Sequence, residues 1–212
     1  MRPTRLFTPG PLTTSASVRA AMRRDVGSRD AEFVGLVQAV RATLVDLAAP
    51  GRHDRYTAVL LPGSGTYAVE ATLGTCVAAE GELLIASNGA YGDRMRAIAE
   101  RLAIPHSVVR VPDHVAIDPR EVEAAVEARP GVTHVAVVHC ETTTGLLNPL
   151  ARIAEVTRDR GLILIVDAMS SFGALPIDMD ALGIQYLIAS SNKCLEGVPG
   201  LSFESIAGLD TA

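Results

Sequence analysis

Two residues stand out for the chemistry they could perform, an aspartate and a lysine that each follow a short apolar run. Asp167 directly follows residues 162–166, and Lys193 follows residues 186–189 after a short polar segment. A carboxylate at the end of a buried strand is costly without a cation or several donors, whereas a lysine amine can attack a carbonyl carbon. No carboxylate or histidine lies in residues 168–171 to help Asp167 bind a metal. The pattern therefore favours an organic cation; an aspartate capping a turn and a lysine facing solvent are the alternatives.

A glycine-containing segment, PGSGT at residues 62–66, offers a place for an anion. Its glycines, Gly65 among them, let the backbone approach an anion, while Ser64 and Thr66 add hydroxyl donors and the following helix adds free N–H groups. A P-loop would need a lysine after the second glycine, and a dinucleotide site would need Glu82 to end a strand that it precedes. The segment thus predicts a phosphate cradle, with a tight turn and helix N-cap as the alternative.

Two other strand ends carry groups that suit a flat, polar ligand. Tyr91 is flanked by small residues in segment 87–92, and its ring can lie against a planar molecule. Thr142 and Thr143 follow the run 134–139 and offer hydroxyl groups to a polar ring substituent. The alternatives are a core aromatic for Tyr91 and caps of the following helix for the threonines.

Short runs of branched aliphatic residues alternate with helical segments along most of the chain. Because these runs lack polar alternation, they predict an α/β fold, with a mainly parallel sheet and helices on both faces. Two more helices are expected in an N-terminal helical arm over residues 1–50, and the large domain over residues 51–203. The strands are predicted at residues 56–61, 83–86, 107–111, 134–139, 162–166 and 186–189, and the large domain's helices at 67–77, 94–102, 119–128 and 150–160.

The carboxyl ends of parallel strands meet at one edge of a sheet. We therefore expect the cradle, the tyrosine, the threonines, the aspartate and the lysine to share one site. A single ligand with a phosphate, a flat ring, a protonatable ring nitrogen and an aldehyde would use all of them. That ligand is pyridoxal 5'-phosphate.

Composition and charge limit the partners of the chain. Its 212 residues carry a net charge of -5 without a basic stripe, which argues against nucleic acid binding. Its apolar runs are too short to span a membrane. Three widely spaced cysteines favour a reducing compartment. We expect a cytoplasmic protein that acts on small molecules.

The same segments resemble those of the class V, fold-type I aminotransferases, which depend on pyridoxal phosphate. The resemblance extends from residue 7 to about residue 203. It is most specific in the segments GSGTYAVE (63–70), SNGAYG (87–92), ETTTG (141–145), VDAMSSFG (166–173) and SNKC (191–194).

The resemblance implies a role for each candidate residue. Lys193 would form the Schiff base with the cofactor and move protons, and Asp167 would keep the ring nitrogen protonated. Tyr91 would stack on the ring, and Thr142 or Thr143 would contact its phenolic oxygen. The phosphate would be held by Ser64, Gly65, Thr66, Ser190 and Asn192.

The family members that are most similar move the amino group of 2-aminoethylphosphonate to pyruvate, giving phosphonoacetaldehyde and alanine, and the resemblance implies a homodimer. The alternatives are an alanine– or serine–glyoxylate aminotransferase, a non-catalytic fragment of such an enzyme, and a nucleotide-binding oxidoreductase. The likeness fades after Phe203, so residues 204–212 are expected to form a divergent tail. The C-terminal small domain, with its substrate-binding arginine, is expected to be absent, which leaves the activity of the chain open.

Overall fold

Strands and helices alternate through residues 5–77 and 80–208, the part of the chain that the computed structural model describes. The strands are β1 (Tyr56–Pro62), β2 (Glu82–Ser87), β3 (His106–Arg110), β4 (Val132–Val138), β5 (Cys140–Glu141), β6 (Leu146–Leu147), β7 (Ile163–Asp167), β8 (Tyr186–Ser190) and β9 (Leu201–Ala207). The helices are α1 (Ala16–Ala21), α2 (Ala31–Ala48), α3 (Gly65–Cys76), α4 (Ala90–Arg101), α5 (Pro119–Glu127), α6 (Leu150–Asp159) and α7 (Met179–Leu182). No helix in these ranges has the length and apolar character required to cross a membrane.

Seven of the strands form one sheet in the order β1-β9-β8-β7-β4-β2-β3. The pairs β8–β7, β7–β4, β4–β2 and β2–β3 are parallel, whereas β9 runs antiparallel to both of its neighbours. Six strands therefore point the same way, and their carboxyl ends lie along one edge. The predicted mainly parallel α/β sheet is confirmed, and the short hairpin β5–β6 stands apart from it.

Helices cover both faces of the sheet. In β2, Leu84 and Ala86 belong to a core that includes residues of α2, α5 and α6, while Leu83 and Ile85 belong to a second core with residues of α3 and α4. Burial on both faces explains why the strands read as continuous apolar runs. The N-terminal arm joins the first core through the end of α2, where Leu44, Val45 and Ala48 are buried.

Strand β9 corrects the expected end of the large domain. It continues past residue 203 to Ala207, and Glu204 lies opposite Val59 of β1 and Ile188 of β8. Main-chain pairing to two neighbours accommodates this polar sequence, so residues 204–207 belong to the sheet and not to a tail. Residues 209–212 of the expected tail lie outside the described residues.

Candidate active site

One cavity opens at the carboxyl edge of the sheet, where the ends of β1, β7 and β8 and the starts of α3 and α4 meet. Eight of the ten residues proposed from the sequence line it: Ser64, Gly65, Thr66, Tyr91, Asp167, Ser190, Asn192 and Lys193. Val69, Arg94, Met169, Pro199 and Gly200 complete the wall. Thr142 and Thr143 do not line this cavity, and their contact with a ligand stays a prediction.

The first turn of α3 forms the anion-binding part of the wall. Ser64 is the N-cap, and its hydroxyl accepts a hydrogen bond from the N–H of Tyr67 at 3.3 Å. Helical geometry leaves the N–H groups of Gly65 and Thr66 without an intrahelical acceptor. A Cβ atom on Gly65 would lie 2.6 Å from the sulfur of Met169, so glycine lets the start of α3 pack closely against this side chain. The cradle therefore combines N–H donors, hydroxyls and the positive end of a helix.

Asp167 ends β7 with its side chain in the cavity wall, and the residue is only 3% exposed. Its Oδ1 accepts a hydrogen bond from the N–H of Met169 at 2.9 Å. Burial raises the pKa of Asp167 to about 6; Glu141 adds to this rise, while the Met169 N–H, Arg94 and Lys193 oppose it. The protein groups around Asp167 thus leave the charge of its carboxylate poorly compensated.

Lys193 reaches the cavity from the loop after β8 and is the only lysine in the sequence. Its ammonium donates a hydrogen bond to the carbonyl oxygen of Pro9 at 3.2 Å. Gly10, with φ of 135°, packs so closely that an added Cβ would lie 2.5 Å from Cδ and 2.9 Å from Nζ of Lys193. A segment 184 residues earlier in the chain therefore holds this amine in place.

The buried side chain of Glu141 links Tyr91 to Thr143. The Oε2 atom of Glu141 accepts a hydrogen bond from the N–H of Tyr91 at 3.2 Å, at the start of α4. Its Oε1 atom accepts hydrogen bonds from the N–H and hydroxyl of Thr143, at 3.2 and 2.7 Å. The hydroxyl of Thr142 contacts that of Ser170. Glu141 thus places a negative charge at the N-terminus of α4, where it stabilises the helix. The hydrogen bonds from Thr143 orient the Glu141 carboxylate.

Arg94 is the functional candidate that sequence reasoning missed. It stands three residues after Tyr91 on α4, so both side chains lie on one helix face. Its Cζ atom lies 4.7 Å from the centroid of the Tyr91 ring, and its Nη1 donates to Thr66 Oγ1 at 3.0 Å. The i,i+3 spacing from the tyrosine was the signal available in the sequence.

The arrangement provides a nucleophilic amine, a buried carboxylate and an oxyanion cradle around one cavity. Such a set can hold a ligand that carries an aldehyde, a positive ring nitrogen and a phosphate. Within residues 5–77 and 80–208, no group of three or more His, Cys, Asp or Glu side chains is placed to bind a metal ion.

Comparison with known proteins assigns the chain to a family. The model described as Aminotransferase class-V matches residues 15–206. The 2-aminoethylphosphonate–pyruvate transaminase of Vibrio vulnificus strain CMCP6 is 50% identical over 199 residues, which cover 93% of this chain and 54% of that protein. The protein of the same name from Phocaeicola vulgatus is 50% identical over 204 residues, covering 96% and 56%. The chain spans about half the length of these relatives.

Solved structures agree with this match. An alanine–glyoxylate aminotransferase from Nostoc sp. superimposes with a TM-score of 0.88 at 30% identity, covering 98% of this chain and 55% of the other. A ureidoglycine–glyoxylate aminotransferase from Bacillus subtilis gives 0.89 at 27% identity, with coverage of 98% and 53%.

Proposed function

Because this chain belongs to the class V aminotransferase family, we propose that it forms the cofactor-binding part of a pyridoxal-phosphate-dependent aminotransferase. The observation that carries the proposal is a single cavity lined by Lys193, the buried Asp167 and the first turn of α3. When bound, pyridoxal phosphate supplies an aldehyde that accepts an amino group and a ring that withdraws electrons.

The side chains around the cavity fit this cofactor. Asp167 is an under-compensated carboxylate that a positive ring nitrogen would neutralise, which in turn keeps that nitrogen protonated. Lys193 would provide the amine for covalent attachment, and once the amine of the donor has displaced it, the released amine would carry a proton. Ser64, Gly65 and Thr66 present donors to the phosphate, and Ser190 and Asn192 line the same cavity. Tyr91 offers a flat ring, and Thr143 donates a hydrogen bond to Glu141, which in turn accepts one from the N–H of Tyr91. We propose that Thr142 or Thr143 contacts the phenolic oxygen of the cofactor.

For the whole protein we propose transfer of the amino group from 2-aminoethylphosphonate to pyruvate, which yields phosphonoacetaldehyde and alanine. The 50% identity to relatives named for this reaction supports it. An alanine– or serine–glyoxylate aminotransferase is the competing proposal; it draws support from the Nostoc structure, whose 30% identity is lower.

We further propose a homodimer in the cytoplasm. The N-terminal segment and α2 expose apolar side chains, among them Phe7 at 92% and Leu36 at 56%, which suits contact with a second copy. All three cysteines are free, as expected in a reducing compartment.

Covalent trapping tests the cofactor proposal. Because Lys193 is the only lysine, borohydride reduction with pyridoxal phosphate should leave a pyridoxyl group on one internal peptide. The matched control is Lys193→Arg, which keeps the positive charge and has no lysine; the N-terminal amine measures background labelling. Equal labelling of wild type and variant would refute the assignment.

Amino donors separate the competing reactions. The cofactor-loaded protein should convert its cofactor to the amine form faster with 2-aminoethylphosphonate than with L-alanine or L-serine. Preference for alanine or serine would favour the glyoxylate type. Cofactor attachment without conversion by any donor would identify the chain as a non-catalytic fragment.

A further inference from the structure

Arg94 brings a guanidinium group to the edge of the phosphate cradle. Its Nη1 atom lies 3.0 Å from the hydroxyl oxygen of Thr66, the second residue of α3. The face of Tyr91 supports the guanidinium from one side, with its Cζ atom 4.7 Å from the ring centroid. Thr66, Tyr91 and Arg94 all line the cavity. The guanidinium is therefore held at a defined place beside the α3 N-terminus.

The charge of Arg94 has no carboxylate partner among the described residues. Arg96 on the same helix pairs with Glu100, and Arg110 pairs with Asp93 at 2.9 Å, but Arg94 forms no such pair in residues 5–77 and 80–208. Lys193 is the only other cation among the described residues that line the cavity, and in the proposed function its amine reacts with the cofactor aldehyde. Arg94 is an exposed residue, so its guanidinium is accessible to a second charged group that enters the cavity.

A buried hydroxyl at the same cavity also lacks a partner. Ser190 is only 4% exposed, lines the cavity, and its hydroxyl makes no hydrogen bond to another described residue. A phosphorus oxyanion carries up to two negative charges and three acceptor oxygens, whereas a helix N-terminus offers only about half a charge. A guanidinium, two helix N–H groups and free hydroxyls together match such a group.

We propose that Arg94 is the cationic residue of an oxyanion site that binds a phosphorus oxyanion at the start of α3. Thr66 accepts a hydrogen bond from Arg94, so its own hydroxyl hydrogen is available to the ligand. The inference rests on the proposed function and deepens it. The oxyanion has two possible sources, the 5'-phosphate of the cofactor and the phosphonate of the amino donor.

Paired ligands and variants test the site. We expect Arg94→Gln to weaken the binding of pyridoxal phosphate by about tenfold or more, since bonds between charged groups are strong. Binding of pyridoxal, which lacks the phosphate, should change less than about twofold. Arg94→Lys should recover part of the affinity, because it restores the charge without the planar fork. Arg96→Gln on the same helix is the matched control and should bind both ligands as wild type does.

The outcomes separate the sources and the alternatives. Loss of 2-aminoethylphosphonate binding with unchanged pyridoxal phosphate binding would support the site and assign the oxyanion to the donor. Equal weakening of pyridoxal and pyridoxal phosphate would show a structural role and overturn the proposal, as would no effect on either phosphorus ligand. Thermal stabilisation by inorganic phosphate provides a readout independent of Lys193. If the wild type fails to trap the cofactor while phosphate stabilises it through Arg94, the oxyanion site stands and the cofactor assignment fails.

Discussion

The uncompensated charge of Asp167 should make the cofactor-free protein less stable than a variant without that charge. Burial raises the pKa of this carboxyl from 3.8 to about 6. Because a tenfold change in proton affinity corresponds to about 1.4 kcal/mol, holding Asp167 ionised in the folded state costs about 3 kcal/mol. Asp167→Asn keeps the shape, and its amide oxygen can still accept the N–H of Met169. We therefore expect the variant to unfold with a free energy up to about 3 kcal/mol higher than wild type.

The gain should depend on pH in a direction that the pKa change fixes. A carboxyl whose pKa is raised on folding contributes stability fully below its unfolded pKa of 3.8, and this contribution is lost as pH rises towards about 6. Above that range the wild type bears the whole cost. The two proteins should therefore differ little below pH 4, diverge between pH 4 and 6, and keep a constant difference at higher pH.

Urea unfolding of the cofactor-free proteins across this pH range measures the effect. Asp25→Asn, at an exposed position, is the control and should stay within about 0.5 kcal/mol of wild type. Pyridoxal phosphate should then stabilise the wild type more than Asp167→Asn, because only the wild type can form an ion pair with a protonated ring nitrogen. A variant no more stable than wild type at pH 8, or a gain of equal size at pH 4 and pH 8, would refute the reasoning.

Two further substitutions test other contacts. Gly10→Ala adds a Cβ atom 2.5 Å from Lys193 Cδ at a φ of 135°, so borohydride trapping of pyridoxal phosphate should slow several-fold or more. Gly35→Ala is the control, because nothing lies within 4 Å of its new Cβ atom. Equal slowing of trapping in both variants would contradict the contact between Gly10 and Lys193. Burial raises the pKa of the Glu204 carboxyl, so the ionised form destabilises the folded protein. Glu204→Gln removes this charge, and urea unfolding at pH 8 should therefore show a more stable protein. That gain should disappear as pH falls to about 4.5, the ordinary pKa of the group, and persistence of the full gain there would assign it to packing.

The strands and helices that form the site could be predicted because their signals are local. The apolar run that forms β7 lies within a residue of its predicted bounds, as does the run of β8. Glycines and hydroxyls at 62–66 mark the start of α3 for the same reason, since backbone approach and helix capping depend on neighbouring residues. The edge of the sheet where these groups meet then follows from the parallel topology.

Features that depend on distant parts of the chain were not visible in the sequence. Strand β9 carries serines and a glutamate, and it is a strand because β1 and β8 both pair with it. The contact of Pro9 with Lys193 joins residues 184 positions apart. Thr143 illustrates the same limit. Its position after β4 predicts a contact with a ligand, and nothing local in the sequence indicated that its hydroxyl donates a hydrogen bond to the buried carboxylate of Glu141 at 2.7 Å.

Asp167 and Glu204 are both buried carboxylates with raised pKa values, but only one of them belongs to the candidate binding site. Asp167 lines a cavity that is also lined by Lys193 and by Arg94, which forms no ion pair with a carboxylate in the part of the chain that the structure describes. A ligand with a positive ring nitrogen and a phosphate would therefore compensate the charges of Asp167 and Arg94 together. Glu204 is only 6% exposed but does not line that cavity, and the sulfur of Cys76 lies 3.7 Å from it. Departures from the rules of core formation are expected at functional sites. Pyridoxal phosphate should therefore narrow the stability difference between wild type and Asp167→Asn and leave that between wild type and Glu204→Gln unchanged. If the cofactor narrowed both differences equally, the buried charge of Asp167 would be no better evidence of a binding site than that of Glu204.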